Sequence, residues 1–171
     1  VIRTNEFIRR AIAQMDDFKA YNVIKDFETF VDDISNWYIR TNRRRFWKVG
    51  DEADKTLAYW VLFNAINACV KVMAPIIPFM TEEIWQKLTR RVLPQSELSV
   101  HLSDWPKPLE GFEDDGILQQ TADVREIIAV AMRLRNEHQI KVRQPLSTLY
   151  LSCDDAEMAK IRVFEKNILD E

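Results

Sequence analysis

Phe27-Glu-Thr-Phe-Val-Asp-Asp-Ile-Ser-Asn-Trp-Tyr-Ile-Arg-Thr-Asn-Arg-Arg-Arg-Phe-Trp-Lys48 carries two patterns at once. At about 100° per residue, Phe27, Phe30, Val31, Ile34 and Tyr38 fall on one stripe, the spacing of a helix with one face turned to a core. Arg45 prolongs that stripe at its far end. The opposite side gathers Asn36, Arg40, Arg43, Arg44 and Trp47. Trp47 follows Arg44 by three residues and Arg43 by four, close enough on a helix for its ring to sit between the two guanidinium groups. The stretch therefore predicts a long amphipathic helix over residues 22–48, one wall of a helical bundle.

Arg40, Arg43, Arg44, Arg45 and Lys48 fall within one short run that contains no carboxylate, whereas the whole chain has 24 Lys+Arg against 27 Asp+Glu, a net charge of -3. Arginine's planar, permanently charged fork meets phosphate oxygens bidentately and stacks on bases. An exposed Trp offers a face to an unstacked nucleobase, worth roughly 1–3 kcal/mol per base. The competing reading is a solvated face, with Trp37, Phe46 and Trp47 packed in the core of a larger assembly. Composition alone leaves both open.

With 171 residues, 47% of them hydrophobic, 30% charged and only three glycines, the chain has the length for a proper core and the profile of a helix-rich protein. Cys69 and Cys153 are too few and too isolated for a disulfide framework or a zinc site, and Cys69 lies in an apolar helical pattern where a small buried hydrophobe is expected. A reducing, cytoplasmic setting is the default expectation. No signal peptide opens the sequence, and no apolar run is read as reaching the roughly 18–20 residues that cross a bilayer, so no membrane partner is expected. Val1 is not a methionine and Glu171 falls within a helical pattern, which suggests a piece of a longer chain.

Outward from the central stretch, Phe7, Ile8, Ala11, Ile12, Met15 and Phe18 predict a first helix over residues 5–19. Beyond Gly50 and Asp51, a third is predicted over residues 54–73, with Leu57, Val61, Ala65, Ala68 and Val72 as its buried series. Pro75 and Pro78 break the chain, and a fourth helix follows over residues 78–89 with Glu82 and Glu83 near its positive end. Four helices with short links make a bundle. Residues 93–108 read as a short extended piece and turn, and a linker passes through Gly111 and Gly116. A fifth helix spans residues 117–137 with Val124, Ile127, Ile128, Ala131 and Leu134 in series. Leu149 and Leu151 then alternate with polar neighbours, a strand pattern over residues 146–152, and Asp155 begins a last helix. The expected fold is mainly α: a helical-bundle domain over residues 1–110, then a helix and the start of a small truncated α/β unit over residues 111–171.

Catalytic chemistry is largely excluded. Gly50, Gly111 and Gly116 form no phosphate loop. His101 and His138 have no ligand partner at metal spacing and are expected to be structural, so no metal site is expected. Asp32 and Asp33 are adjacent and point about 100° apart, poor geometry for an acid and base pair. Neither Cys has the basic surroundings of an activated thiolate. No catalytic residue and no cofactor is expected within these residues.

Five segments together carry a resemblance: Val31-Asp-Asp-Ile-Ser-Asn-Trp-Tyr-Ile-Arg40, Arg43-Arg-Arg-Phe-Trp-Lys48, Met73-Ala-Pro-Ile-Ile-Pro-Phe-Met-Thr-Glu-Glu-Ile-Trp85, Ser99-Val-His-Leu-Ser-Asp-Trp-Pro106 and Ile140-Lys-Val-Arg-Gln-Pro-Leu146. In order and spacing they resemble the isoleucyl-tRNA synthetases, class I enzymes, downstream of the catalytic core. The Ala-Pro-x-x-Pro-Phe and Lys-Val-Arg-Gln-Pro-Leu pieces also resemble valyl relatives. The Ser-Asn-Trp-Tyr-Ile-Arg and Arg-Arg-Arg-Phe-Trp pieces point to the isoleucyl member, and to a branch similar to eukaryotic cytosolic enzymes.

The resemblance implies a helical anticodon-binding domain that holds the anticodon stem and loop of isoleucine tRNA, alongside a catalytic domain of the same chain. It implies ATP and Mg²⁺, with Zn²⁺ a further candidate, for the full-length isoleucine-tRNA ligase rather than for these residues. The family's His-Ile-Gly-His and Lys-Met-Ser-Lys-Ser signatures and its editing domain are not in this sequence. Under that implication Arg40, Arg43, Arg44 and Lys48 are candidate phosphate contacts, Trp47 a stacking surface, and Asn36 a further contact. Trp37 is assigned to packing. Lys141, Arg143 and Gln144 form a second candidate patch, with the alternative that Arg and Gln beside Pro145 pin the turn. Two other function classes stay open: a protein-interaction module built on the Trp and Arg face, and a brace between domains of a class I synthetase such as the valyl enzyme, with Trp60, Phe63 and Trp85 as its apolar patch.

Overall fold

The computed structural model describes residues 1–47, 50–142 and 144–169. Helix α1 (Ile2–Asp16) and α2 (Ala20–Asp32) pack on α4 (Glu52–Met73). Phe7 and Ala11 from α1, Val23 and Phe30 from α2, and Ala65, Cys69, Val72 and Met73 from α4 form one buried cluster, with Phe7 stacked on Phe30 at 4.6 Å between ring centroids. These are the apolar residues that the 3.6-residue period brings to one side of each helix. A second cluster joins Val70 and Ala74 to Trp85 and Val100. The fully buried Trp85 keeps its indole N–H satisfied by donating to the Glu97 carbonyl at 2.9 Å.

The predicted first helix stops early. Phe18 adopts φ +57 and is 97% exposed rather than continuing the stripe. The Lys19 N–H donates to the Gln14 carbonyl at 2.7 Å and the Phe18 N–H to the Met15 carbonyl at 3.0 Å. That is a Schellman closure with Phe in the left-handed place that glycine usually takes. Leu57 is likewise exposed, and Ala58 takes the buried position on α4.

The long second helix is also interrupted. After Asp32 it continues as a wider π-helical segment (Asp33–Ile39), and it ends near Asn42 instead of running to residue 48. Polar side chains bond back onto the last turns: Thr41 Oγ1 donates to Trp37 O at 2.7 Å and Asn42 Nδ2 to Tyr38 O at 2.9 Å, the latter beside the Asn42 N–H. A separate short helix, α3 (Arg43–Trp47), follows. Asp51 then caps α4 by accepting from the Asp54 N–H at 3.1 Å, with Glu52 and Asp54 in the first turn where the helix dipole favours anions. By length and composition α4 could cross a membrane, contrary to the sequence reading that no run reaches that length. Its contacts assign Ala65, Cys69, Val72 and Met73 to the core of the bundle instead.

Helix α5 (Pro78–Ile84) continues through a π-helical turn (Trp85–Thr89) into α6 (Arg90–Val92). Residues expected to be extended contain a 3₁₀ turn (Val100–Leu102), anchored by Glu82. Its carboxylate accepts from Ser99 Oγ at 2.8 Å and the Val100 N–H at 3.0 Å. The buried Asn5 closes the following loop onto α1, donating to Leu109 O at 2.8 Å and accepting from Leu109 N at 2.8 Å.

Contacts divide the chain into units of Val1–Glu113 and Asp114–Glu171. The second unit holds α7 (Asp115–Glu137), capped by Asp114, then α8 (Asp155–Arg162) with a reciprocal capping box between Asp154 and Glu157, then α9 (Glu165–Leu169). Val124 and Ile128 are buried, while Leu134 at the end of the predicted series is exposed. The expected strand over residues 146–152 does not form. Those residues are irregular, with no ladder partner among the described residues, so the α/β character expected there is not seen. Leu149 and Leu151 instead line a cavity of about 450 Å³ against α7 and α8.

Candidate nucleic-acid interface

Between the end of the α2 run and the start of α4, the chain places its basic residues in two different ways. Arg43 and Arg44 on α3 are exposed, as are Asn36 and Arg40. The Arg43 guanidinium lies over the Trp47 ring at 5.6 Å from its centroid, the i,i+4 pairing that the spacing suggests. Trp47 is 68% exposed, so it presents an aromatic face to the outside rather than to a core. Asn36 donates to Asp32.

Arg45, by contrast, turns onto α4. Its Nε donates to Asp54 Oδ2 at 2.8 Å, its Nη2 reaches Asp54 Oδ1, and its Nη1 donates to Asn42 Oδ1 at 2.9 Å. The bond to Asp54 keeps the Arg45 guanidinium protonated beyond its ordinary range. Next to it Phe46 is buried, edge-on to Tyr59 at 5.0 Å and to Tyr38 at 6.2 Å. Tyr38, whose hydroxyl donates to Ala58 O at 3.0 Å, has its pKa raised, mainly by burial. Tyr38 and Arg45 thus lie on the packing side as the stripe predicts, and Trp37 is half-buried. Sequence reasoning missed Asp54 and Tyr59 as neighbours of this run. Neither belongs to a motif, and both arrive through the turn between α3 and α4.

Of the second patch, Lys141 and Gln144 are exposed in the second unit. There the turn is held by Arg135 of α7, whose Nη1 donates to Gln144 O at 2.8 Å, and by a second left-handed residue, Gln139. Lys48 and Arg143 lie outside the described residues.

Cys69 is buried and its thiol is pushed up to about 12 by burial, while His101 and His138 are both exposed. Among the described residues no group of His, Cys and carboxylates could hold a metal ion. Of the apolar brace candidates Trp85 is buried, Phe63 half-buried and Trp60 exposed.

A helical bundle with a basic, aromatic outer helix fits an RNA-binding domain, and comparison makes the class specific. The family described as the anticodon-binding domain of tRNA ligase matches residues 1–150, and the chain belongs to that family. It is 40% identical over 152 residues to the isoleucine–tRNA ligase of Chlamydia pneumoniae, covering 86% of this chain and 14% of that protein. The isoleucine–tRNA ligase of Thermus thermophilus is 34% identical over 173 residues, covering 99% of this chain and 16% of its own length. That of Chlamydia caviae is 36% identical over 157 residues, with 92% and 15% covered. The chain therefore spans about one seventh of the length of these relatives.

Proposed function

We propose that this chain binds the anticodon stem and loop of isoleucine tRNA for a longer isoleucine-tRNA ligase. In that enzyme a catalytic domain of the same polypeptide, using ATP and Mg²⁺ in the cytoplasm, attaches isoleucine at the distant 3′ end. The observation that carries the reading is the exposed Trp47 with Arg43 over its ring, on a helix that also exposes Arg44. Single-stranded RNA loops are recognised in this way, by splayed bases stacking on aromatics and Arg planes while cations meet the phosphates. Arg40, Arg43, Arg44 and Lys48 contact phosphates and Trp47 stacks on a loop base. Asn36 borders that face. Lys141, Arg143 and Gln144 form a second contact, and residues 1–110 constitute the binding bundle.

Reversing two charges tests the assignment. Arg43→Glu with Arg44→Glu should weaken binding of the isoleucine tRNA stem-loop at least tenfold while leaving the melting temperature within about 3 °C, since both side chains are exposed. Unchanged binding would remove this helix from the site. A bracing role has one observation in its favour: an apolar cavity of about 250 Å³ between α2, α4 and α5, beside the exposed Met80. It requires no RNA affinity, and the same titration separates the two.

A further inference from the structure

Helix α3 has only five residues, too few to be stable by itself. Its position, and with it the direction of Arg43, Arg44 and Trp47, must come from tertiary contacts. Two are present. Phe46 is sunk between Tyr38 and Tyr59, and Arg45 lays its guanidinium fork on both carboxylate oxygens of Asp54 while its third nitrogen holds Asn42. A bidentate Arg–carboxylate pair fixes direction as well as distance.

We propose that Arg45 and Asp54 are positioning residues for RNA binding: their ion pair fixes α3 against the first turn of α4 so that Arg43, Arg44 and Trp47 are presented together, and Arg45 does not itself contact phosphate. This rests on the RNA-binding reading above. It makes a prediction of opposite sign to simple electrostatics. Asp54 is an anion beside a surface meant for a polyanion, so removing its charge should tighten RNA binding if charge alone matters. If Asp54 positions α3, removing it weakens binding.

The test is a titration of the 171-residue chain with the isoleucine tRNA anticodon stem-loop. Asp54→Ala should bind about fivefold or more weakly, the loss of one base stack. Arg45→Lys, which keeps the charge but not the fork, should weaken binding likewise. The exchanged pair Arg45→Asp with Asp54→Arg should bind more tightly than Asp54→Arg alone, although it carries two units less positive charge. If Asp54→Ala fails to fold, the exchanged pair decides: recovery supports positioning, and no recovery in a folded protein overturns it. Unchanged or tighter binding by folded Asp54→Ala, with Arg43→Glu/Arg44→Glu still impaired, overturns the positioning role and leaves the RNA reading intact. A wild-type chain without affinity, or Arg43→Glu/Arg44→Glu without effect, overturns that reading itself.

Discussion

Neighbouring residues of the same type have different roles here because of what the fold brings to them. Arg43, Arg44 and Arg45 are consecutive, yet the first lies over Trp47 and the third is committed to Asp54. Periodicity separates them, since Arg45 extends the apolar stripe, but it does not say why an arginine should stand there. The reason is a carboxylate nine residues on. Cysteine shows the same dependence on surroundings. Cys69 is buried with its thiol held as the unreactive protonated form, whereas Cys153 is partly exposed. A thiol-alkylating reagent at pH 8 should modify Cys153 and spare Cys69 in the native protein; equal modification rates, read by mass spectrometry of the peptides, would contradict the packing of α4.

At the scale of elements, helix interiors were legible in the sequence and helix ends were not. Phe7, Ala11, Phe30, Ala65 and Val72 are buried where a 3.6-residue period places them. Phe18 breaks the pattern because a left-handed closure usually announced by glycine is made here without one. The same holds at Gln139, where the Ile140 N–H donates to the Arg135 carbonyl at 2.8 Å. Phe18 buries nothing, so Phe18→Gly should relieve the left-handed strain and raise the unfolding free energy by about 1 kcal/mol in a urea titration. A loss of stability would mean that the ring packs in solution. The break at Asn42 was hidden for another reason: the side chains of Thr41 and Asn42 bond back to carbonyls one turn earlier, a polar competition with the helix that apolar periodicity does not register. The missing strand failed on pairing, since alternation in residues 146–152 specifies a face but supplies no neighbour.

Glu82 joins α5 to the turn after it. Burial raises its carboxyl pKa, but bonds from Gln86, Ser99 and the Val100 N–H outweigh that and hold it below the ordinary carboxylate value. The stability it contributes is therefore complete above the unfolded carboxyl pKa near about 4.3 and is lost as pH falls through the lower folded value. Glu82→Gln should flatten that part of the acid limb of the thermal midpoint against pH. An unchanged limb would assign the acid sensitivity elsewhere.

For the molecule as a whole, a net charge of -3 coexists with a cationic helix, so attraction for RNA must be local. The candidate site was legible because its signal is local too: Arg43 to Trp47 is a single turn of helix. What was not legible is its support from Asp54 and Tyr59, which depends on how the chain folds back after residue 50. The measurement that tests the central claim most directly is the salt dependence of binding to the isoleucine tRNA anticodon stem-loop. With about four phosphates neutralised, log affinity should fall against log salt with a slope near about -3, and the slope should shrink by about two in Arg43→Glu/Arg44→Glu. A slope near zero, or one that the double variant leaves unchanged, would contradict an electrostatic RNA interface on α3.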